Sequence, residues 1–186
     1  MHKLQQLFQS GPVLFDGAMG TMQTALGLPQ DDCPEALNLA CPEDIYRIHR
    51  AFAEAGCQVL CTNTFGANAV KMAACGHAAD LEHLVTQGVR LARRAAQEGQ
   101  LVALSLGPTG DFLAPYGALT PDTLAEAFTR PLRAGQAAGA DFAMLETQCD
   151  LAEARAALLA ANALSFPAVV SFTFEPGGRT LMGNPP

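Results

Sequence analysis

Two acids stand at places where they could do chemistry. Asp16 follows the apolar run Val13-Leu14-Phe15 and opens the turn Gly17-Ala18-Met19-Gly20, and Glu146 follows the apolar run Phe142–Leu145. A carboxylate beside glycine-turn amides can hold both ends of a zwitterion. The acid takes the ammonium, and the amides left uncovered by side chains take the carboxylate. Gly17 and Gly20 are read here as supplying backbone angles closed to other residues. Between the two acids, Val59-Leu60-Cys61 runs into Thr62-Asn63-Thr64, and Leu101–Leu106 runs into Gly107-Pro108-Thr109-Gly110. Hydroxyls and an amide at a strand end are costly to bury without partners, so they face a pocket or a bonded loop.

The elements that must position these groups follow from hydrophobic spacing. A short helix is expected over Leu4–Phe8, broken by Gly11-Pro12, with a first strand at Val13–Asp16. The connection from Ala18 to Cys41, interrupted by Pro29 and Pro34, is too irregular for one helix, and loops of that length usually have a function. Pro42 starts a helix carrying Ile45, Ile48 and Phe52 on its buried face, with His49 beside them as a structural residue. Helices are expected over Ala69–Ala74, Leu81–Glu98 and Leu151–Leu164. Another is capped by Thr120 and should kink or stop at Pro131. Strands are expected at Val59–Phe65, Leu101–Leu106, Phe142–Leu145 and Pro167–Phe174. Five strands alternating with helices argue for an α/β protein with a parallel sheet and its pocket at the carboxyl ends of the strands.

Composition narrows the partners. The chain has 186 residues, is 49% hydrophobic and 16% charged, carries a net charge of −7 and shows no basic cluster. Nucleic acid and anionic membrane are poor partners for it, and no apolar run reaches the length of a membrane helix. With no signal-peptide core, the cytoplasm is the expected location. The cysteines, Cys33, Cys41, Cys57, Cys61, Cys75 and Cys149, show no CxxC pair. Their spacing does not indicate zinc, and they read as reduced small hydrophobes. No GxGxxG or GxxxxGK[ST] run follows a strand, which argues against an open nucleotide-binding sheet.

The ordered motifs DGAMGT, PEALNL (Pro34–Leu39), IHRAFAEAG (Ile48–Gly56), TNTFGAN (Thr62–Asn68), LGPTG (Leu106–Gly110), LETQCDLAEA (Leu145–Ala154) and GRTLMG around Arg179 resemble the homocysteine S-methyltransferase family. Within it they lie closest to the N-terminal homocysteine-binding domains of cobalamin-dependent methionine synthases. The resemblance implies a TIM-type (β/α) barrel, with residues 1–186 covering one domain and about the first five of its eight β/α units. It implies that Asp16 and Glu146 hold the homocysteine ammonium. The amides of Gly17, Ala18 and Met19 would hold the carboxylate, with Thr62 or Thr64 beside it, and Thr62, Asn63 and Thr64 all count among the substrate-binding residues.

The implied chemistry is methyl transfer to a sulfur held as a thiolate by zinc on three cysteines. The donor would be methylcobalamin on a partner domain, charged from methyltetrahydrofolate, or, in other branches, a betaine or a sulfonium. The family's zinc cysteines fall beyond Pro186, so no metal ligand and no catalytic residue is assigned within this chain. The acid that usually precedes TNTF is Cys61 here. The chain is therefore expected to be a fragment or one half of a split enzyme, completed by the missing half-barrel or associating through an open edge. The competing expectation is an amino-acid-binding α/β module that does no chemistry.

Overall fold

The structure is a computed structural model describing residues 3–9, 11–30 and 32–186. Helix α1 (Lys3–Gln9) is followed by α2 (Met19–Ala25), a 3-10 turn (Pro34–Ala36), α3 (Leu37–Ala40) and α4 (Pro42–Glu54). Strands β1 (Val59–Cys61), β2 (Leu101–Leu106), β3 (Phe142–Gln148) and β4 (Ala168–Phe172) alternate with α5 (Ala69–Ala74), α6 (Leu81–Ala95), α7 (Pro121–Ala138) and α8 (Leu151–Ala163). The sheet order is β1-β2-β3-β4, with every pairing parallel.

Period-two alternation divides the strand residues between two cores. Val59, Leu101, Ala103 and Phe142 point to one side with Met144 and Val169. Val102, Leu104, Leu106, Ala143 and Leu145 point to the other, where α6, α7 and α8 cover them with Leu84, Val89, Phe128, Leu132 and Ala157. On the first side Leu4 and Leu7 of α1 pack against the amino-terminal residues of the strands. The carboxyl ends on that side carry Ser105 and Glu146, the next residues in the same alternation.

The expected first strand is shorter than predicted. Val13–Asp16 makes a single parallel bridge, Phe15 to Val59, with Asp16 N–H donating to the Val59 carbonyl at 3.0 Å. Gly11-Pro12 before it and the glycine turn after it leave no room for a longer ladder, and the Gln58 side chain takes the Leu14 N–H at 2.9 Å. The single bridge still fixes Asp16 beside β1.

The helix expected to kink or end at Pro131 does not end there, and α7 runs through it to a left-handed Gly139 (φ 98°). Proline costs that helix one backbone bond, but Phe128, Pro131, Leu132 and Gly135 are buried around it, and the burial outweighs the lost bond. The acid expected beyond the end of the third full strand lies inside it instead, because β3 continues to Gln148 through a register irregularity between Leu145 and Gln148. Thr147 sits there at φ 55°, and a bulge of this kind re-aims the side chains next to it.

His49 is structural, as expected. It is fully buried on α4, and neither ring nitrogen has a hydrogen-bond partner among the described residues. Burial pushes its pKa down to about 4. The unfolded chain binds this proton near pH 6.5 and the folded chain does not, so stability falls as pH drops from 6.5 to 4. The loss is about 3 kcal/mol. His49→Leu should remove that component, so that urea midpoints at pH 7 and pH 4.5 lie closer to those expected from the carboxylates alone. A variant whose stability difference from the wild type is the same at both pH values would show that His49 does not carry this component.

Candidate active site

A cavity of about 820 Å³ opens at the carboxyl ends of the strands. Of the residues singled out in the sequence, Asp16, Gly17, Ala18, Met19, Thr62, Asn63 and Glu146 line it, and Thr64 does not. Asp16 is brought there by its bridge to β1, and its Oδ2 accepts the Cys61 N–H at 2.9 Å. Burial, reinforced by the charge of Glu146, pushes the Asp16 pKa up to about 6. Glu146 is held from β2, where the Ser105 hydroxyl donates to its Oε1. Two acids on one part-buried wall repel each other, and a cationic group between them relieves that repulsion.

The glycine turn works differently from the sequence expectation. Neither Gly17 nor Gly20 has a positive φ. Gly17 is instead a close approach: a Cβ there would come within 2.8 Å of the Phe52 ring on α4. Gly20 lies inside α2 with open space around it. Met19 begins α2 and Ala18 caps it without a side-chain bond, so the first-turn amides have no intrahelical acceptor.

The threonines are committed to the sheet. Thr64 donates to the Ser105 carbonyl at 2.8 Å and accepts from Thr62, whose oxygen accepts the Ser105 N–H at 3.1 Å. Asn63 joins the loops. Its Nδ2 donates to the Pro34 carbonyl at 2.9 Å and to Asn38 Oδ1 at 3.0 Å, and its Oδ1 accepts from Gln23 Nε2 at 3.0 Å. These bonds tie α2, the 3-10 turn and α3 to the end of β1. The connection from Ala18 to Cys41 is thus a bonded wall of the cavity.

Ser105, Gln23, Glu35 and Asn38 were not singled out from sequence. Ser105 could have been: it is a lone hydroxyl in an apolar strand, in phase with inward-facing Leu101 and Ala103. Glu35 and Asn38 lie in PEALNL, whose spacing gives no hint that the Glu35 carboxylate accepts the Gly66 N–H or that Asn38 reaches the Asn63 carbonyl.

The cysteines do not fit a zinc site. All six are free, and among the described residues no group of three His, Cys, Asp or Glu side chains could hold a metal. Burial pushes the Cys33 thiol up to about 12 and the Cys57 thiol to about 11. It also raises Cys61, which lines the cavity, well above the usual thiol range, so in the metal-free chain these three residues are protonated thiols.

A parallel sheet backed by helices, with polar groups gathered at the strand carboxyl ends, defines an α/β fold whose site lies where barrel and doubly wound folds carry theirs. The homocysteine S-methyltransferase family model matches residues 13–186, and the chain belongs to that family. Methionine synthase from Mycobacterium tuberculosis (strain ATCC 25618 / H37Rv) is 32% identical over 187 aligned residues, covering 91% of this chain and 16% of that protein. Methionine synthase from Mycobacterium leprae (strain TN) is also 32% identical, covering 91% of this chain and 15% of that protein. The chain therefore spans about a sixth of the length of these relatives. Among solved structures, the metallated form of the Escherichia coli homocysteine methyltransferase MmuM superposes with a TM-score of 0.87 at 27% identity, covering 99% of this chain and 71% of that one. Its apo form gives 0.76 at the same identity, covering 99% and 68%. The sheet is accordingly part of a TIM-type barrel. Among the described residues no helix is long and apolar enough to cross a membrane.

Proposed function

We propose that residues 1–186 form one incomplete barrel domain that binds homocysteine for S-methylation to methionine. The observation that carries this reading is the convergence of Asp16 and Glu146 on one cavity beside the amides of Gly17, Ala18 and Met19. The acids take the ammonium and the amides take the carboxylate, leaving the side-chain sulfur directed to the rest of the cavity. In the transfer the sulfur's electron pair forms the new S–CH3 bond, while the donor keeps the pair of the bond that breaks. The thiol proton must leave first, and because the described residues do not form a zinc site, no step through zinc is assigned to them.

In this reading the remaining β/α units of the barrel pair with the free edge of β4. Among the described residues that strand pairs only with β3, and all five of its residues are part-exposed, whereas every residue of β2 is buried. An unpaired strand edge is a template for another strand. Mixing the chain with a separately produced segment carrying the remaining β/α units of a homologous barrel should give a stoichiometric complex. That complex should bind zinc and transfer a methyl group to homocysteine. Homocysteine binding by the chain with no zinc uptake or transfer by the mixture would favour the non-catalytic module, and absence of homocysteine binding in both would sink the proposal.

A further inference from the structure

Apart from the amino-acid clamp, three sulfur atoms gather beside the cavity. Cys33 leads into the 3-10 turn, Met72 lies on α5, and Cys75 caps the end of that helix. The Cys33 thiol donates to the thioether, with its Sγ 3.9 Å from Met72 Sδ. Three residues separate Met72 from Cys75, so the two side chains share one face of the helix. The Cys75 Sγ in turn lies 3.6 Å from the Asp32 carbonyl oxygen, on the peptide that leads into Cys33. The charge of one cysteine also acts on the other.

The cluster can be reached. Cys33 and Met72 are buried, whereas Cys75 is part-exposed, and both Met72 and Cys75 line the cavity. Asp32 and Glu35 line it too, and their carboxylates favour a cation there. The donor set selects the cation. Two thiols and a thioether fall short of the four ligands of a structural zinc site, but they suit a soft monovalent ion. Two sulfurs bound at about 2.3 Å by one trigonal metal stand about 4 Å apart. The Cys33–Met72 separation of 3.9 Å already has that value.

We propose that Cys33, Met72 and Cys75 form a binding site for a soft monovalent metal ion, copper(I), at the edge of the cavity. Each cysteine releases its thiol proton to solvent and holds the ion as a thiolate, while a lone pair of the Met72 sulfur supplies the third bond. The ion arrives as copper(I), so no electron is transferred. The site is independent of the reading of Asp16 and Glu146 as an amino-acid clamp.

An anaerobic titration of the reduced full chain with copper(I), in competition with a colorimetric copper(I) chelator, tests the site. The chain should keep one equivalent, and X-ray absorption of that copper should show three sulfur neighbours at about 2.3 Å. Met72→Leu conserves the packing volume and should leave two sulfur neighbours, with affinity lowered roughly tenfold. Cys75→Ser should lower it about a hundredfold or more, and Cys149→Ser should leave it unchanged. A readout on the wild type needs no variant to fold: one equivalent of copper should shield Cys75 from alkylation while Cys149 stays reactive. The site is overturned if the chelator strips the first equivalent, if zinc at the same concentration displaces it, or if Cys75→Ser retains it. Shielding that falls on Cys57 and Cys61 in place of Cys75 overturns it equally.

Discussion

Asp16→Asn should abolish tight homocysteine binding while making the ligand-free chain more stable at alkaline pH. The affinity loss is expected to be about a hundredfold, within the range of 2–5 kcal/mol for removing one partner of a buried, hydrogen-bonded charge pair. The stability gain follows from the pKa of about 6, raised from 3.8 by burial and by Glu146. The folded chain holds this proton more tightly than the unfolded chain, so stability is greatest below pH 3.8 and is lost as pH rises through 6. At pH 8 the ionised carboxylate costs the fold about 3 kcal/mol. Asparagine mimics the protonated acid, keeps an oxygen for the Cys61 N–H and offers its amide to the neighbouring acid. Urea unfolding at pH 8 should show the variant more stable, and the difference should vanish near pH 4.

Binding gives the complementary signature. In the wild type, homocysteine affinity should fall as pH drops through 6 and Asp16 takes up a proton, and in the variant this dependence should disappear. His49 makes the stability comparison sharper, because its contribution runs the other way over nearly the same interval. Its folded pKa near 4 removes stability on acidification, whereas Asp16 adds it. The two nearly cancel in the wild type, so Asp16→Asn should unmask an acid sensitivity that the native chain hides. If the variant is less stable than the wild type at pH 8, the carboxylate is paired in the free chain and the strain assigned to it is absent.

The same acid shows what could be read from sequence and what could not. Asp16 and Glu146 were legible because an apolar run delivering an acid onto a turn is a local pattern, and repetition of strand and helix fixes which end of a parallel sheet they share. The hydroxyl that holds Glu146 was legible in principle, since Ser105 is in phase with the inward residues of its own strand. The partners of Asn63 were not. Gln23, Pro34 and Asn38 lie 25 to 40 residues away, and the geometry that unites them exists only once the wall has folded. The role of Gly17 was misread for the same reason: the Phe52 ring it makes room for comes from another helix. Pro131 shows the converse case, in which a strong local signal yields to burial of the surrounding helix.

Asn63→Ala should be the most damaging single change to the stability of the cavity wall. Asn63 was expected among the substrate-binding residues, and the bonds described above use both of its amide donors and its oxygen within the protein. Removing them leaves Gln23 Nε2, Asn38 Oδ1 and the Pro34 carbonyl without that partner, and unsatisfied buried groups cost about 1–3 kcal/mol each. A loss of about 3 kcal/mol or more in urea unfolding is expected. Amide exchange should quicken across residues 19–40, because α2 and α3 lose their tie to β1. Homocysteine affinity should weaken as a consequence, since the first-turn amides of α2 are carried on that wall.

Asn63→Asp separates this account from a direct substrate role. It keeps an acceptor for Gln23 but turns a carboxylate oxygen toward the Pro34 carbonyl and Asn38 Oδ1, where a donor belongs. The variant should be less stable than Asn63→Ala at pH 7 and should recover as the pH is lowered, because a protonated acid donates again. A residue that served only the ligand would leave the urea midpoint of the free chain unmoved in both variants and change only the calorimetric titration.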